Sequence, residues 1–167
     1  LKQIKYVILD ADALNSFQHK TKKLLKYLDK FKLITPHKKE FHRLFPFIKK
    51  SSEDKEKVLK FIKLCKSNIL LKGNTTLIGS NKKIIKNTHS SSELAVIGSG
   101  DVLAGIIASL VGDNKMSIIE AAAAAAWLHG DIARKYGKGL ISEDLIKGIQ
   151  SGLGRLANKW ENQKLLM

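Results

Sequence analysis

The sequence predicts an α/β layered fold with a mainly parallel sheet, and three observations carry that expectation. Short runs of β-branched and leucine residues alternate with longer segments whose apolar residues recur at helical spacing, the order that builds a sheet with helices packed on it. The chain has 167 residues, 44% of them hydrophobic, enough to bury one ordinary core. Neither an internal repeat nor a low-complexity linker divides it, so one domain, or part of one, is expected.

Taken in order, Tyr6-Val7-Ile8-Leu9 reads as a buried strand. A central-type strand this close to residue 1 leads to the expectation that sequence precedes Leu1. Leu24, Leu25, Leu28 and Phe31 then repeat at helical spacing among lysines, which predicts an amphipathic helix to about Phe31. Leu33-Ile34 makes a short strand, stopped by Thr35-Pro36. Ser51 and Ser52, followed by acids, offer an N-cap for a helix burying Val58, Leu59, Ile62 and Cys65. Asn68 to Leu71 is a strand ending at Lys72-Gly73. Thr75 to Ile78 and Lys83 to Ile85 read as a hairpin at the sheet edge. A polar loop from Asn87 to Glu93 leads to Gly98-Ser99-Gly100-Asp101, after which Val102, Leu103, Ile106, Ile107 and Leu110 form a buried helix. Ser117 and Glu120 match a capping box opening an alanine-rich helix toward Ala133, and Ser142 caps a last helix with Leu145, Ile146 and Ile149.

Composition removes several classes of function. The single Cys65 cannot form an internal disulfide and suits a reducing, cytoplasmic setting. Apolar runs end well before the roughly 18 residues a membrane span requires. The formal net charge of +15 points first to nucleic acid, but residues 1–87 carry 22 Lys and Arg against 7 Asp and Glu, while residues 88–167 carry 8 against 8. Only three of the basic residues are Arg, the type that dominates base-edge and bidentate phosphate contacts. The lysines are read as solvated helix faces rather than a nucleic-acid surface.

Chemistry is expected at the strand ends, where ligands gather in open α/β sheets. In Gly98-Ser99-Gly100-Asp101 the glycines let backbone approach an anion, and the following helix N-terminus favours phosphate. Asp101 beside such a cradle is placed to take a proton from an attacking hydroxyl, although an Asp in a first helical turn also serves as a simple helix start. Lys72-Gly73-Asn74-Thr75-Thr76 leaves a strand with a cation, a glycine and two hydroxyls; on its own it reads as a plain turn. Pro36 fixes the exit from another strand, with His37 just beyond it and Glu40 and Arg43 at a spacing that suits a surface pair. His129, beside Trp127 and Leu128 on the alanine-rich helix, is read as a packing or hydrogen-bonding residue. His19, His42 and His89 lack metal-ligand spacing and are read as surface.

Five blocks occur together: Asp10-Ala11-Asp12-Ala13-Leu14-Asn15, Thr35-Pro36-His37 with Glu40 and Arg43-Leu44, Leu71-Lys72-Gly73, Gly98-Ser99-Gly100-Asp101-Val102-Leu103-Ala104-Gly105, and His129-Gly130. In order and rough spacing they resemble the ADP- or ATP-dependent NAD(P)H-hydrate dehydratases, from Asp10 to about Ile149. The resemblance implies a ribokinase-like three-layer α/β/α fold, of which residues 1–167 are the C-terminal portion of a single domain. It implies that Asp101 is the catalytic base facing the substrate hydroxyl, that His37 contacts the NAD(P)H hydrate, and that Lys72, Gly73, Asn74, Thr75, Thr76 and Gly100 hold the adenine nucleotide. ADP or ATP would donate the phosphoryl group with Mg²⁺ bridging its phosphates, and the sequence holds no dedicated metal cluster.

The sequence departs from the family pattern in places. Lys39 stands two positions after Pro36-His37 where relatives commonly have Gly, and the approach to Gly98 is Thr88-His89-Ser90-Ser91-Ser92-Glu93 rather than Gly/Asn-rich. Family members carry an N-terminal half ahead of the first block, so an upstream segment, a fused epimerase domain and a homo-oligomer are further expectations. Two alternatives stay open: a ribokinase-like small-molecule kinase, for which related Thr-Pro-Asn segments make His37 the discriminator, and a non-catalytic basic binding module.

Overall fold

A computed structural model describes residues 4–49, 53–112 and 116–164. Along the chain come β1 (Val7–Leu9), α1 (Ala11–Asn15), α2 (Thr21–Leu25), β2 (Lys32–Ile34), α3 (Lys38–Leu44), α4 (Asp54–Cys65) and β3 (Asn68–Leu71). The hairpin β4 (Thr76–Gly79) and β5 (Ile84–Asn87) follows, then α5 (Ser99–Gly112), α6 (Ile118–Tyr136) and α7 (Ser142–Lys164). The sheet order is β1-β2-β3-β4-β5. β1 pairs parallel with β2, and β2 with β3; Leu9 lies opposite Ile34, and Leu33 opposite Asn68. The hairpin pairs antiparallel, so β4 alone runs against the others and β5 is the outermost strand, as its sequence predicts.

Alternation along the short strands divides the core in two. Leu9, Ile34, Ile69 and Leu71 face one way, against Leu14, Leu24, Phe41, Phe45 and Phe61 of the layer built by α1 to α4. Leu33, Leu70 and Ile78 face the other way, against Ile107, Leu128, Ile132 and Leu145 of α5 to α7. The fold is therefore three layers, α/β/α. The small side chains of Ala121, Ala122 and Ala125 are fully buried, which brings α6 close to both sheet and α5. Polar groups trapped at the strand starts are satisfied: Asn68 Nδ2 donates to the carbonyls of Lys30 and Lys32 (both 2.9 Å), and Ser67 Oγ donates to the Lys32 carbonyl at 3.0 Å.

Several sequence expectations need correction. The helix expected to reach Phe31 ends at Leu25, because the Asp29 side chain accepts from the Phe31 N–H (2.8 Å) and folds the segment into a turn that competes with helix. The Ser51 and Ser52 cap lies outside the described residues; α4 begins after Glu53, whose side chain makes no cap bond. Leu59 is 40% exposed, and the fully buried Phe61 fills the core beside Val58 and Ile62 instead. Ser117 makes no side-chain bond to the α6 backbone; its hydroxyl donates to the Glu120 carboxylate. Ser142 is the first residue of α7 and spends its hydroxyl on the carbonyl of Ile97. Among the described residues, no helix is long and apolar enough to cross a membrane.

Candidate active site

The carboxyl ends of β1, β2 and β3 are laced together. Thr35 donates to the Leu9 carbonyl through both its N–H (3.0 Å) and its hydroxyl (3.2 Å), and the Lys72 N–H donates to the Pro36 carbonyl at 2.9 Å. This holds the residues that leave the strands side by side: Asp10 from β1, His37 from β2 and Lys72 from β3. Asp10 occupies the N-cap position of α1 but does not cap it; its carboxylate receives the Lys72 ammonium at 2.7 Å. Both partners are largely shielded, with side chains 10% and 24% exposed, so the pair is screened far less than a surface ion pair. The backbone next to it is strained: Ala11 has φ 42°, a left-handed conformation that a Cβ disfavours.

Over this ion pair lies the 98–101 loop. Gly98 has φ 79°, and a Cβ there would also lie 2.8 Å from the Ser142 hydroxyl, so both conformation and space call for glycine. A Cβ on Gly100 would stand 3.1 Å from Asp10 Oδ2 and 3.4 Å from Lys72 Nζ, which measures how closely the loop rests on the pair. The first turn of α5 begins here, where N–H groups lack intrahelical partners and the helix dipole is positive. Asp101 lies in that turn, exposed at the rim. It also borders a groove of about 530 Å³ lined by Val102, Ile106, Ile146, Ile149 and Leu153.

The structure gathers Lys72 and Gly100 around Asp10, with Asp101 at the border and Gly73 following Lys72 in the chain. Gly73 packs against the Lys38 side chain, whose Cε lies 3.2 Å from where a Cβ would be. Thr76 Oγ1 donates to the Gly73 carbonyl at 3.3 Å, and the exposed Asn74 offers its carbonyl to Ser90 Oγ at 2.7 Å. Thr75 is half-buried between them. His37 is the backbone neighbour of Lys72 across a parallel bridge, but its ring serves α3. Nδ1 accepts from the N–H groups of Lys39 (3.1 Å) and Glu40 (3.2 Å), while Glu40 accepts from the His37 N–H at 2.8 Å, a complete capping box. The expected Glu40 and Arg43 surface pair is replaced by this contact, and Glu40 is buried. The His37 side chain remains 46% exposed, with Nε2 3.5 Å from Glu40 Oε1.

Three histidine and carboxylate contacts join segments far apart in the chain. His129 is buried and hydrogen-bonded, as its place on the helix predicts: its Nε2 shares a hydrogen bond of 3.1 Å with Ser99 Oγ inside the loop. Burial pushes its imidazole down to about 4, against a raising hydrogen bond to the Ser99 backbone and with the Lys72 charge adding to the lowering. His89, read as surface, is half-buried: its ring stacks on Trp127 with centroids 4.9 Å apart, and Nε2 meets Asp131 Oδ1 at 3.2 Å. Asp131 also receives Arg155 Nε at 2.7 Å. Burial pushes the Asp131 carboxyl up, but Arg155 and His89 outweigh it and hold the group below the usual carboxylate range. Among the described residues, no group of three or more His, Cys, Asp or Glu side chains is placed to hold a metal ion.

A glycine turn at a helix N-terminus, a half-buried lysine and a rim carboxylate are groups whose chemistry suits an anion and the acceptance of a proton. The family model for NAD(P)H-hydrate dehydratase matches residues 1–150. The chain belongs to the NAD(P)H-hydrate dehydratase family. It is 38% identical over 157 residues to the ADP-dependent (S)-NAD(P)H-hydrate dehydratase of Neisseria meningitidis, covering 89% of this chain and 49% of that protein. It is 34% identical over 134 residues to the bifunctional NAD(P)H-hydrate repair enzyme of Thermosynechococcus vestitus, covering 76% of this chain and 25% of that one. The chain thus spans half or less of these two relatives. Among solved structures, a ribokinase-like superfamily protein of Enterococcus faecalis superposes with a TM-score of 0.77 at 23% identity, covering 90% of this chain and 52% of its own. The Bacillus subtilis ADP/ATP-dependent NAD(P)H-hydrate dehydratase, co-crystallised with ATP/Mg²⁺, gives 0.70 at 23% identity, covering 92% and 56%. The three-layer fold of the dehydratase family is therefore ribokinase-like.

Proposed function

We propose that this chain carries the phosphoryl-transfer half of an ADP- or ATP-dependent NAD(P)H-hydrate dehydratase, acting in the cytoplasm together with the part of the fold it does not span. The observation that carries the reading is the 98–101 loop resting on Lys72 at the N-terminus of α5, within a chain of this family. In this reading Lys72, Gly73, Asn74, Thr75, Thr76 and Gly100 receive the adenine nucleotide, and the loop amides and Lys72 take up charge on the transferring phosphoryl group. Asp101 accepts the proton of the hydroxyl on the hydrated nicotinamide ring as that oxygen attacks phosphorus. The nucleotide leaves with one phosphate fewer. The ring C–O bond then breaks, phosphate departs, a proton is lost from the adjacent carbon, and the double bond returns. In the same reading the exposed edge of the His37 ring is what contacts the hydrate.

In this reading Mg²⁺ would come with the nucleotide and bridge its phosphates. The bifunctional name of the Thermosynechococcus relative, of which this chain matches a quarter, supports a further domain such as an epimerase in a longer protein.

The test supplies NADPH hydrate, ADP or ATP and Mg²⁺ to the full-length protein and to this chain alone, following nicotinamide absorbance and free phosphate together. Equal recovery of both by the full-length protein is expected. Asp101→Asn should lower turnover about 10²–10⁴-fold while leaving nucleotide affinity nearly intact. Stable phosphorylation of a small alcohol, with no action on the hydrate, would replace the dehydratase reading with a kinase.

A further inference from the structure

One turn of α6 touches both loops that border the site, yet none of its side chains has a part in the chemistry above. On one side, His129 reaches the 98–101 loop through Ser99, in a contact that is buried at both ends. On the other, Trp127 and Asp131 grip His89, by stacking at an interplanar angle of 11° and by the 3.2 Å contact. Arg155 of α7 holds Asp131 from behind at 2.7 Å. The residue after His89 completes the connection, because Ser90 Oγ donates to the carbonyl of Asn74 at 2.7 Å. Between the two arms stands Gly130, where a Cβ would lie 1.8 Å from the His89 carbonyl oxygen and 2.8 Å from its carbon. The loop backbone therefore lies directly on the helix, and no side chain fits between them.

We propose that residues 127–131 of α6 are the positioning element of the site: His129 sets the 98–101 loop through Ser99, and Asp131 with His89 sets the 72–76 segment through Ser90 and Asn74. His129 and Asp131 act through other residues and touch neither nucleotide nor substrate. An uncharged imidazole suits this role, since a cation there would add to Lys72 and would need solvation the site does not provide. The effect on ligands rests on the nucleotide reading given above, whereas the setting of the loops does not.

The experiment compares wild type with His129→Leu, His129→Gln, Ser99→Ala and the His129→Leu/Ser99→Ala double variant. Amide hydrogen exchange is measured across residues 96–104, with Mg-ADP affinity by calorimetry and melting temperature alongside. His129→Leu and Ser99→Ala should each speed exchange in the loop and weaken Mg-ADP by roughly three- to tenfold, the worth of one hydrogen bond. The double variant should lose no more than either single one, because both remove the same contact. His129→Gln, which carries an amide near the place of Nε2, should restore both readouts, and a role in bulk packing alone would not give that rescue. Unchanged loop exchange in His129→Leu, or additive losses in the double variant, would overturn the proposal. If His129→Leu does not fold, Ser99→Ala decides: wild-type exchange in that variant refutes the clamp. A wild-type protein that binds no Mg-ADP would overturn the nucleotide reading, and loop exchange would still judge the clamp.

Discussion

Acidification from about pH 7 to about pH 5 should destabilise this fold through His129. The imidazole is buried, and its pKa is pushed from 6.5 down to about 4, whereas in the unfolded chain it takes up a proton near the ordinary value. The folded value is the lower one, so between the two the unfolded state binds more protons. Stability from the neutral ring is complete above about 6.5, is lost as pH falls from there toward about 4, and then levels off. Each unit inside that window is worth ~1.4 kcal/mol, so at about pH 5 the loss is ~2 kcal/mol. The carboxyls of Asp29, Asp54 and Asp131, all held low, keep their contributions until pH drops below the unfolded value of 3.8, which leaves the window clear of them. Urea unfolding followed by circular dichroism, at steps between those two pH values, gives the slope. His129→Gln cannot titrate, and comparison with it cancels the other histidines. Wild type should lose ~2 kcal/mol relative to the variant over the range. Parallel stability curves for the two proteins would refute the reasoning, because they would mean that the ring gains its proton as readily when folded.

Two backbone substitutions test the geometry of the site. Gly98→Ala meets both a φ of 79° and the Ser142 hydroxyl, so it should cost about 1–3 kcal/mol in chemical denaturation and weaken Mg-ADP in calorimetry; a variant with wild-type stability would show that the loop relaxes freely. Ala11→Gly removes the Cβ that disfavours φ 42°, a relief of about 1–2 kcal/mol partly offset by the freedom glycine has when unfolded, so the melting temperature should rise slightly. A fall would place the strain elsewhere.

The layered fold was legible because strand alternation and helical spacing both reflect burial, and burial is what Leu33, Ile34, Leu70 and Leu71 experience on the two faces. Element ends were less so. Phe31 and Leu28 fit a helical period, but the period says nothing of Asp29, whose side chain diverts the backbone. Ser117 and Ser142 each had the right place for a cap, but the Ser117 hydroxyl bonds the Glu120 side chain instead of the backbone, and Ser142 bonds the carbonyl of Ile97, 45 residues away. In the site, Gly100 carried its own signal as a glycine at a helix start, whereas the Lys72 segment on its own read as a plain turn and gained a role only through the resemblance. Asp10 and Lys72 are 62 residues apart, and His129 and Ser99 are 30 apart; only the fold makes them neighbours. His89 looked like any polar loop residue until Trp127 and Asp131 were seen on either side of it.

The division of the molecule into two helical layers also divides its charge. All of the net +15 falls within residues 1–87, a stretch that contains the sheet and α1 to α4, while residues 88–167, which contain α5 to α7, balance to zero. The lysines of α2, α3 and α4 make that layer the cationic one, while Lys83 of the hairpin turn acts instead on Glu120 of α6. Polyanions and cation-exchange resins will meet it through the α1 to α4 side, in a salt-dependent way, and hold it in a fixed orientation. The neutral side, with α5, α6 and α7, stays free under those conditions for contacts that ionic strength leaves alone.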